Sequence, residues 1–438
     1  MSGDEVRVLL VIGSGLRYYR EYLIESAARR AAELGLKLVL VNNLHPTWQT
    51  PYFDEITVVN VFDHGQLKAA AREIAARRRV EGILCYDEPL VMPTAELAAE
   101  FGLPGLGLAG VVGCRDKHTT RTLLTAAGLP QPGFELVDTP EAARAAAAAI
   151  GYPVVVKPRA LGASMGVVLA PDEGRLAEAY LVAANAGMVG DEPYRGGAMV
   201  EGYAGGPEIS VDGVVQRGEY RAVVVARKRT GLHPYFEELG HLVDADDPLL
   251  QDQVLLDVLA KTHQVLGVED GMTHAELKLT PYGPVVIEVN GRLGGDLIPY
   301  LGRLATGIDP GEVLVETALG VRSDLTPRHR GVAGIRFGYP AEDCTVREVR
   351  MPGALPGLAR AEPMVSPGTE LRLPPGGYLA RHSFVVCTAD GPEECEERLE
   401  AALAAVELDA EPLARKGIDA VLEMPAGLLD TDAVEARS

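Results

Sequence analysis

The chain reads as an α/β protein that opens with a doubly wound parallel sheet. Two observations predict this. Apolar, strand-like runs alternate with helical segments from Val6 to Tyr86 at the spacing of strand–helix repeats. The length of 438 residues exceeds one ordinary core, and about two to four domains are expected. Val6 to Gly15 is expected as a buried strand ending in Gly13-Ser14-Gly15. A helix follows over roughly Tyr18 to Leu34, then a strand over Lys37 to Asn42. A strand at Ile56 to Asn60, a helix near Gly65 to Arg78 and a strand at Gly82 to Tyr86 continue the alternation. The Gly13-Ser14-Gly15 turn lacks the third glycine of the dinucleotide fingerprint. A substrate amine or carboxylate is therefore a better occupant than a nicotinamide or flavin. Asp87-Glu88 follows the last strand, at the edge where such sheets expose ligand groups. The pair either holds a substrate ammonium or caps the next helix. Trp48 and Tyr18-Tyr19 read as packing residues.

Further along, Asp116 to Ala127 is expected as a helix and Gly128 to Pro132 as a loop. Thr139-Pro-Glu caps an alanine-rich helix running to Ile150, which feeds a strand over Pro153 to Lys157. A polar loop over Asp191 to Gly197 and a strand over Ala198 to Glu201 come next. Antiparallel strands are expected at Glu208 to Val215 and Glu219 to Lys228, and an amphipathic helix at Leu249 to Leu266. After Arg330 the texture changes: β segments at Gly331–Phe337, Gly368–Leu373 and Arg381–Cys387, then a helix over Pro392 to Val406, make a small α+β tail.

Composition narrows the function. A net charge of −21 argues against nucleic acid as a partner, because neutralising phosphates needs a basic face. The five cysteines are scattered without zinc-like spacing, as expected of reduced thiols in the cytoplasm. The run Val8 to Ile12 is too short for a signal segment or a membrane span, so no membrane partner is expected.

The most informative segment runs from Met272 to Arg292. Pro281-Tyr282-Gly283 has turn chemistry, and its flanks alternate as strands do. A three-residue loop sets Glu276 opposite Glu288, His274 opposite Asn290 and Lys278 opposite Val286. Facing carboxylates repel unless a cation lies between them. Glu276, Glu288 and the Asn290 amide oxygen form an oxygen-only set that suits Mg2+. A solvated strand face is the plain alternative. His274 is expected as a site-wall or hydrogen-bond-satisfied histidine rather than a metal ligand.

Upstream, Lys157 ends an apolar strand before Pro158, where its side chain can reach a ligand. Gly162-Ala-Ser164-Met-Gly166 is either a phosphate flap or a β-hairpin turn. Glu201-Gly202-Tyr203 can offer backbone groups to an adenine edge, and Glu208 can accept from ribose hydroxyls. Lys117 opens a helix and can add positive charge. Individually Lys117, Glu201 and Glu208 are ordinary surface charges. Their order is what carries information.

In that order the motifs resemble the ATP-grasp superfamily over roughly Val111 to Arg322. The resemblance implies an ATP-grasp domain at 111–330 with a lid at about 130–205, an N-terminal domain at 1–110 and a C-terminal domain at 331–438. It implies ATP with two metal ions, Mg2+ or alternatively Mn2+. Lys117 and Lys157 would contact ATP phosphates, and Ser164 would lie on the flap above them. Glu201, Gly202 and Tyr203 would form the adenine hinge, and Glu208 would bind ribose. Glu276, Glu288 and Asn290 would hold metal. Arg292, expected on the same strand face, would stabilise the transferring phosphate or the tetrahedral intermediate.

Such enzymes typically phosphorylate a carboxylate and let an amine or thiol attack the acyl phosphate. Pro234-Tyr-Phe236-Glu-Glu238-Leu-Gly-His241 resembles a segment of the bacterial L-amino-acid ligase branch, which makes dipeptides. Arg292-Leu-Gly-Gly-Asp296-Leu-Ile-Pro299 also looks like that branch. By that resemblance Glu238 faces a substrate ammonium, and His241 polarises the substrate or accepts a proton. A solvated loop is the alternative there. The expected activity is ADP-forming ligation of two amino acids, and a homodimer fits because related enzymes are often dimers. The alternatives are a biotin-carboxylase-like or purine-pathway ligase, a non-catalytic ATP-binding regulator, and a dinucleotide oxidoreductase.

Overall fold

The computed structural model describes residues 6–187, 194 and 196–415. Positions 191–193 and 195 of the expected polar loop, and 416–438 of the tail, lie outside the described residues. β1 (Arg7–Ile12) is exposed only at its first residue, the burial that a parallel strand covered on both faces requires. It pairs in parallel with β2 (Lys37–Asn42), beyond which lies β3 (Glu55–Val58), and on its other side with β4 (Arg79–Leu84). The order is β3-β2-β1-β4. Helices α1 (Arg17–Glu33), α2 (His64–Ala75) and α3 (Val91–Phe101) alternate with these strands. Asp63 caps α2 by accepting from the amides of Gly65 and Gln66.

Two helices, α4 (Leu108–Arg115) and α5 (Lys117–Ala126), lead onward, with Asp116 capping α5. A separate antiparallel sheet is built from β5 (Phe134–Val137), β6 (Val154–Lys157), β7 (Val168–Ala170) and β8 (Ala198–Gly202), in the order β5-β8-β6-β7. Helices α6 (Pro140–Ile150) and α7 (Glu173–Asn185) supply much of its own apolar core. Thr139 accepts from the Ala142 amide, and Pro140 occupies the first turn.

Then come β9 (Glu208–Gln216), β10 (Glu219–Gly231), β11 (Glu237–Asp244), α8 (Gln253–Leu266), β12 (Gly271–Thr280) and β13 (Gly283–Asn290). The helix expected over Leu249 to Leu266 is split. Asp252 accepts from the Val254 and Leu255 amides, starting α8 afresh after a 3-10 turn at Pro248–Gln251. Helices α9 (Ile298–Thr306) and α10 (Pro310–Ala318) follow, and α10 packs on α1.

The last segment contains β14 (Val332–Gly338), β15 (Cys344–Arg350), β16 (Leu358–Pro363), β17 (Glu370–Leu371), β18 (Ser383–Ala389), α11 (Pro392–Ala404) and β19 (Glu407–Pro412). Its strands β14, β18 and β16 extend the central sheet, whose order is β13-β12-β9-β10-β11-β14-β18-β16. β17, β15 and β19 form a small sheet of their own.

The β12–β13 hairpin corrects one expectation. Glu276 faces Glu288 and His274 faces Asn290, but Lys278 faces Val285 rather than Val286. Thr280 pairs with Gly283, so the turn holds two residues, and a register shift beyond Glu276 restores the outer pairs. The bulge has a use: the Val286 and Ile287 carbonyls accept from the Arg121 guanidinium at 3.0 and 2.6 Å.

Candidate active site

Strand period two divides the central sheet. On one face Ile209, Val211, Ala275, Leu277, Val286 and Val289 join an apolar core with α8. On the other, ion pairs link Lys278, Glu208, Lys228, Glu276, His274 and Asp212 in a chain, and strand register sets Glu288 opposite Glu276. Lys228 is its hub. Its ammonium lies 2.8 Å from Glu208, 2.6 Å from Glu238 and 3.0 Å from Glu276. Burial works against the charged lysine, but the three carboxylates outweigh it and raise its pKa. For Glu276 burial raises the pKa, yet Lys228 and His274 hold the carboxyl well below the usual carboxylate range. It is an anion at neutral pH.

Glu276, Glu288 and Asn290 thus present two carboxylates and one amide oxygen from adjacent strands, and Glu288 pairs with Lys117 at 3.1 Å. This hard-oxygen donor set fits Mg2+. The nearby Lys117 and Lys228 offset the acid charge from behind.

A second group of charges is equally paired. Glu201 is 3% exposed; it takes a bidentate contact from Arg121 at 2.8 and 3.0 Å and meets Lys157 at 2.8 Å. Burial alone would raise its pKa, but Arg121 and Lys157 bring it down to about 2. Lys117 also donates to the Leu161 carbonyl, at the start of the loop that carries Ser164. That loop joins antiparallel β6 and β7, and Ala163 and Ser164 both take left-handed conformations at φ +54°. It is the connection of a hairpin. A Cβ placed on its Gly162 would come within 3.8 Å of Arg292, which brings the loop to the wall opposite β13.

Other assignments change. The Gly202 amide donates to Gly133 at 2.9 Å and the Tyr203 amide to Pro153 at 3.1 Å. β8 keeps its neighbours through Gly202, so those two N–H groups are spent on backbone carbonyls. Glu208 is clasped by Lys228 and Lys278, each at 2.8 Å. Arg292 is not on the strand face, because β13 ends at Asn290. Its Nε meets Glu88 at 2.9 Å, and Arg115 meets the same acid at 3.2 Å. Asp87 pairs with Arg20 at 3.2 Å, and neither acid caps a helix by side chain.

Glu238 and His241 lie on β11, not in a solvated loop. His241 is 0% exposed, and its Nε2 is 3.1 Å from Asp296 and 3.6 Å from Glu238. A ring so enclosed does not touch a substrate directly; it orients the two carboxylates. Burial lowers its pKa, but those acids outweigh burial and raise it. Asp296 in turn takes a fork from Arg381 at 2.6 and 2.8 Å. The acids Glu238, Glu276, Glu288 and Asp296 keep 14–20% of their side-chain surface, whereas Lys228 and Arg381 keep 1% and 2%. The carboxylates are therefore the more accessible members of these pairs and the cations the more deeply buried.

Sequence reasoning missed Lys228, Arg121, Asp212 and Arg381, and quoted Asp296 without a role. Lys228 was legible in principle: β9–β10 pairing sets Ala226 opposite Ser210, two residues from both Lys228 and Glu208. Arg381 had no local signal.

The central sheet with its paired charges, beside the four-stranded sheet that carries Lys157, is matched by models of known domains. An ATP-grasp N-terminal domain model matches residues 28–105, an ATP-grasp domain model 150–299, and L-amino acid ligase C-terminal domain 2 matches 336–411. The chain belongs to the ATP-grasp superfamily of carboxylate–amine ligases and resembles its L-amino-acid ligase branch. It is 27% identical over 274 residues to alanine–anticapsin ligase of Bacillus subtilis strain 168, covering 58% of this chain and 57% of that ligase. It is 30% identical over 229 residues to D-alanine–D-alanine ligase of Gloeobacter violaceus, covering 48% of this chain and 70% of that enzyme. The structure of L-amino acid ligase from Bacillus licheniformis superposes with TM-score 0.74 at 22% identity, covering 93% of this chain and 100% of that one. Among the described residues no helix is long and apolar enough to cross a membrane.

Proposed function

We propose that this chain is an ADP-forming ligase that activates one amino acid's carboxylate as an acyl phosphate and couples it to the amine of a second. The observation that carries this reading is the Lys228 ammonium, which touches both Glu276 of the oxygen-donor pair and Glu238 of the second carboxylate cluster. The phosphoryl-transfer end and an ammonium-binding end are thereby adjacent. Mg2+ held by Glu276, Glu288 and Asn290 would offset phosphate charge. Lys117 and Lys157 would exchange their carboxylate partners for phosphate oxygens, and Glu208 would meet the ribose. Arg292, steadied by Glu88, would face the oxygens of the reacting carboxyl. Glu238 would take a substrate ammonium, with His241 as its positioning residue. The loop from Gly162 to Gly166 would cover the acyl phosphate and keep water from it. We place the domain boundaries near 110 and 330 and the lid at about 130–205.

The test is an Mg2+-dependent ADP-release screen over pairs of amino acids, with products read by mass. Release that needs two amino acids and yields their condensation product is expected. Release that needs bicarbonate, or ATP binding without turnover across the panel, would overturn the reading.

A further inference from the structure

Arg381 lies in the turn before β18, far in sequence from the hairpin and the lid, yet its guanidinium is fully used inside the cleft wall. It forks onto Asp296, donates to the Glu238 carbonyl at 3.1 Å and, through Nε, to the Tyr339 hydroxyl at 3.0 Å. The Tyr19 hydroxyl lies 3.4 Å from Nη1, and the Phe337 ring lies 3.7 Å from the guanidinium carbon. Tyr339 passes the contact on, donating to Glu237 at 2.9 Å. Asp296 and Leu297 sit at φ +52° and +61°, a backbone that side-chain-bearing residues seldom adopt. Strain at one residue whose carboxylate is gripped from two sides marks a group whose aim matters.

We propose that Arg381 is a positioning residue that fixes Asp296 and Glu238 as a two-carboxylate cradle for a primary ammonium group of the amino-acid substrate. The C-terminal segment would then take part in choosing that substrate. The inference rests on the ligase reading above and adds to it the second acid and its support. Asp296 and Glu238 each keep 14% of their side-chain surface, while Arg381 and His241 behind them keep 2% and 0%. A ligand entering the cleft meets the acids first. The carboxylates of Glu238 and Asp296 and the His241 ring have polar atoms all within 4.8 Å of one another. A carboxylate has about four acceptor sites, so each can still accept from an ammonium while its counter-charge stays in place.

The plain alternative is that Arg381 only anchors the C-terminal segment. Full-length wild type is compared with Arg381→Lys and with the double variant Arg381→Met/Asp296→Asn, which removes both charges and strands neither. The readouts are thermal melting, KM for ATP, KM for the amino acid, and discrimination against its 2-hydroxy-acid analogue, which lacks the ammonium. Lysine lacks the planar fork. We expect both variants to fold and keep the ATP KM. We expect the amino-acid KM to rise roughly 10-fold or more, the size of effect seen when an orienting partner is lost. Discrimination against the hydroxy acid should fall in parallel. Wild-type KM and discrimination in both variants, or equal losses for ATP and both analogues, overturn the inference alone. Failure of the wild-type enzyme to release ADP with any amino-acid pair overturns the ligase reading and this inference with it.

Discussion

Two neighbouring residues on β12, Thr273 and His274, look into opposite regions of the molecule. Thr273 points to the α8 side, where it donates its hydroxyl to His263 at 2.8 Å. The other nitrogen of His263 donates to the Leu259 carbonyl at 2.7 Å, and Tyr220 stacks on the ring at 4.1 Å. Burial among neutral partners pushes this histidine's pKa down to about 4. His274 is buried too, and burial acts in the same direction. Asp212 at 2.6 Å and Glu276 at 3.4 Å outweigh it and raise the pKa to about 9. Depth alone therefore does not set the charge of a buried ring; its partners do. The α8 face is mainly apolar and pairs its charge where it has one, as Arg227 does with Asp247 at 2.8 Å, while on the other face every named charge is met.

The sharpest way to break that contrast is Lys228→Met. Three carboxylates would then face one another without their shared cation. We expect a stability loss of about 3–5 kcal/mol, typical of stranding a buried charge. Turnover should be lost as well, as denaturant melts and ADP release would record. A variant with wild-type stability would mean the cleft charges are not interdependent.

Glu288→Gln is milder to the fold, since it keeps the shape and removes one anion. Turnover should fall roughly 100- to 1,000-fold with little change in melting, comparable to deleting one electrostatic contributor to a transition state. Undiminished Mg2+-dependent turnover would remove Glu288 from the metal site.

Leu277→Ala probes the opposite face one residue away. Leu277 is 0% exposed, so we expect a loss of about 3–4 kcal/mol in stability. The kcat of the remaining folded enzyme should be kept. A large fall in kcat would show that the two faces are mechanically coupled.

The smallest effect concerns pH. The unfolded chain protonates His263 near 6.5, whereas the folded chain resists until about 4. As pH falls between those values the unfolded state binds the proton first, so stability present above pH 6.5 is progressively lost, by up to about 3 kcal/mol. His263→Phe should flatten that part of the curve of unfolding free energy against pH. An identical slope in both proteins would show that other groups govern it.

Much of this was readable from the residues. Period-two alternation predicted that Glu276 meets Glu288, because a short turn leaves few registers. It could not predict the two-residue turn with its bulge, since what that bulge serves is Arg121, far away on α5. The amides of Gly202 and Tyr203 looked free only because their acceptors, Gly133 and Pro153, lie about 50 or more residues away in sequence. His241 looked like a proton acceptor because sequence carries no depth.

What the sequence by itself determined is the set of local periods and turns: a parallel sheet from buried apolar runs, a carboxylate hairpin, and lysines at element ends. These depend on interactions within a few residues, which the chain order displays. Only the tertiary structure decided which charge answers which. Lys228 meets acids from β9, β11 and β12, and Arg381 reaches Asp296 and Glu238 from β18's threshold. Electrostatic pairing acts through space at about 3 Å and ignores separation along the chain. The grip of Arg381 on Asp296 and Glu238 was therefore invisible until the C-terminal segment was folded beside β11.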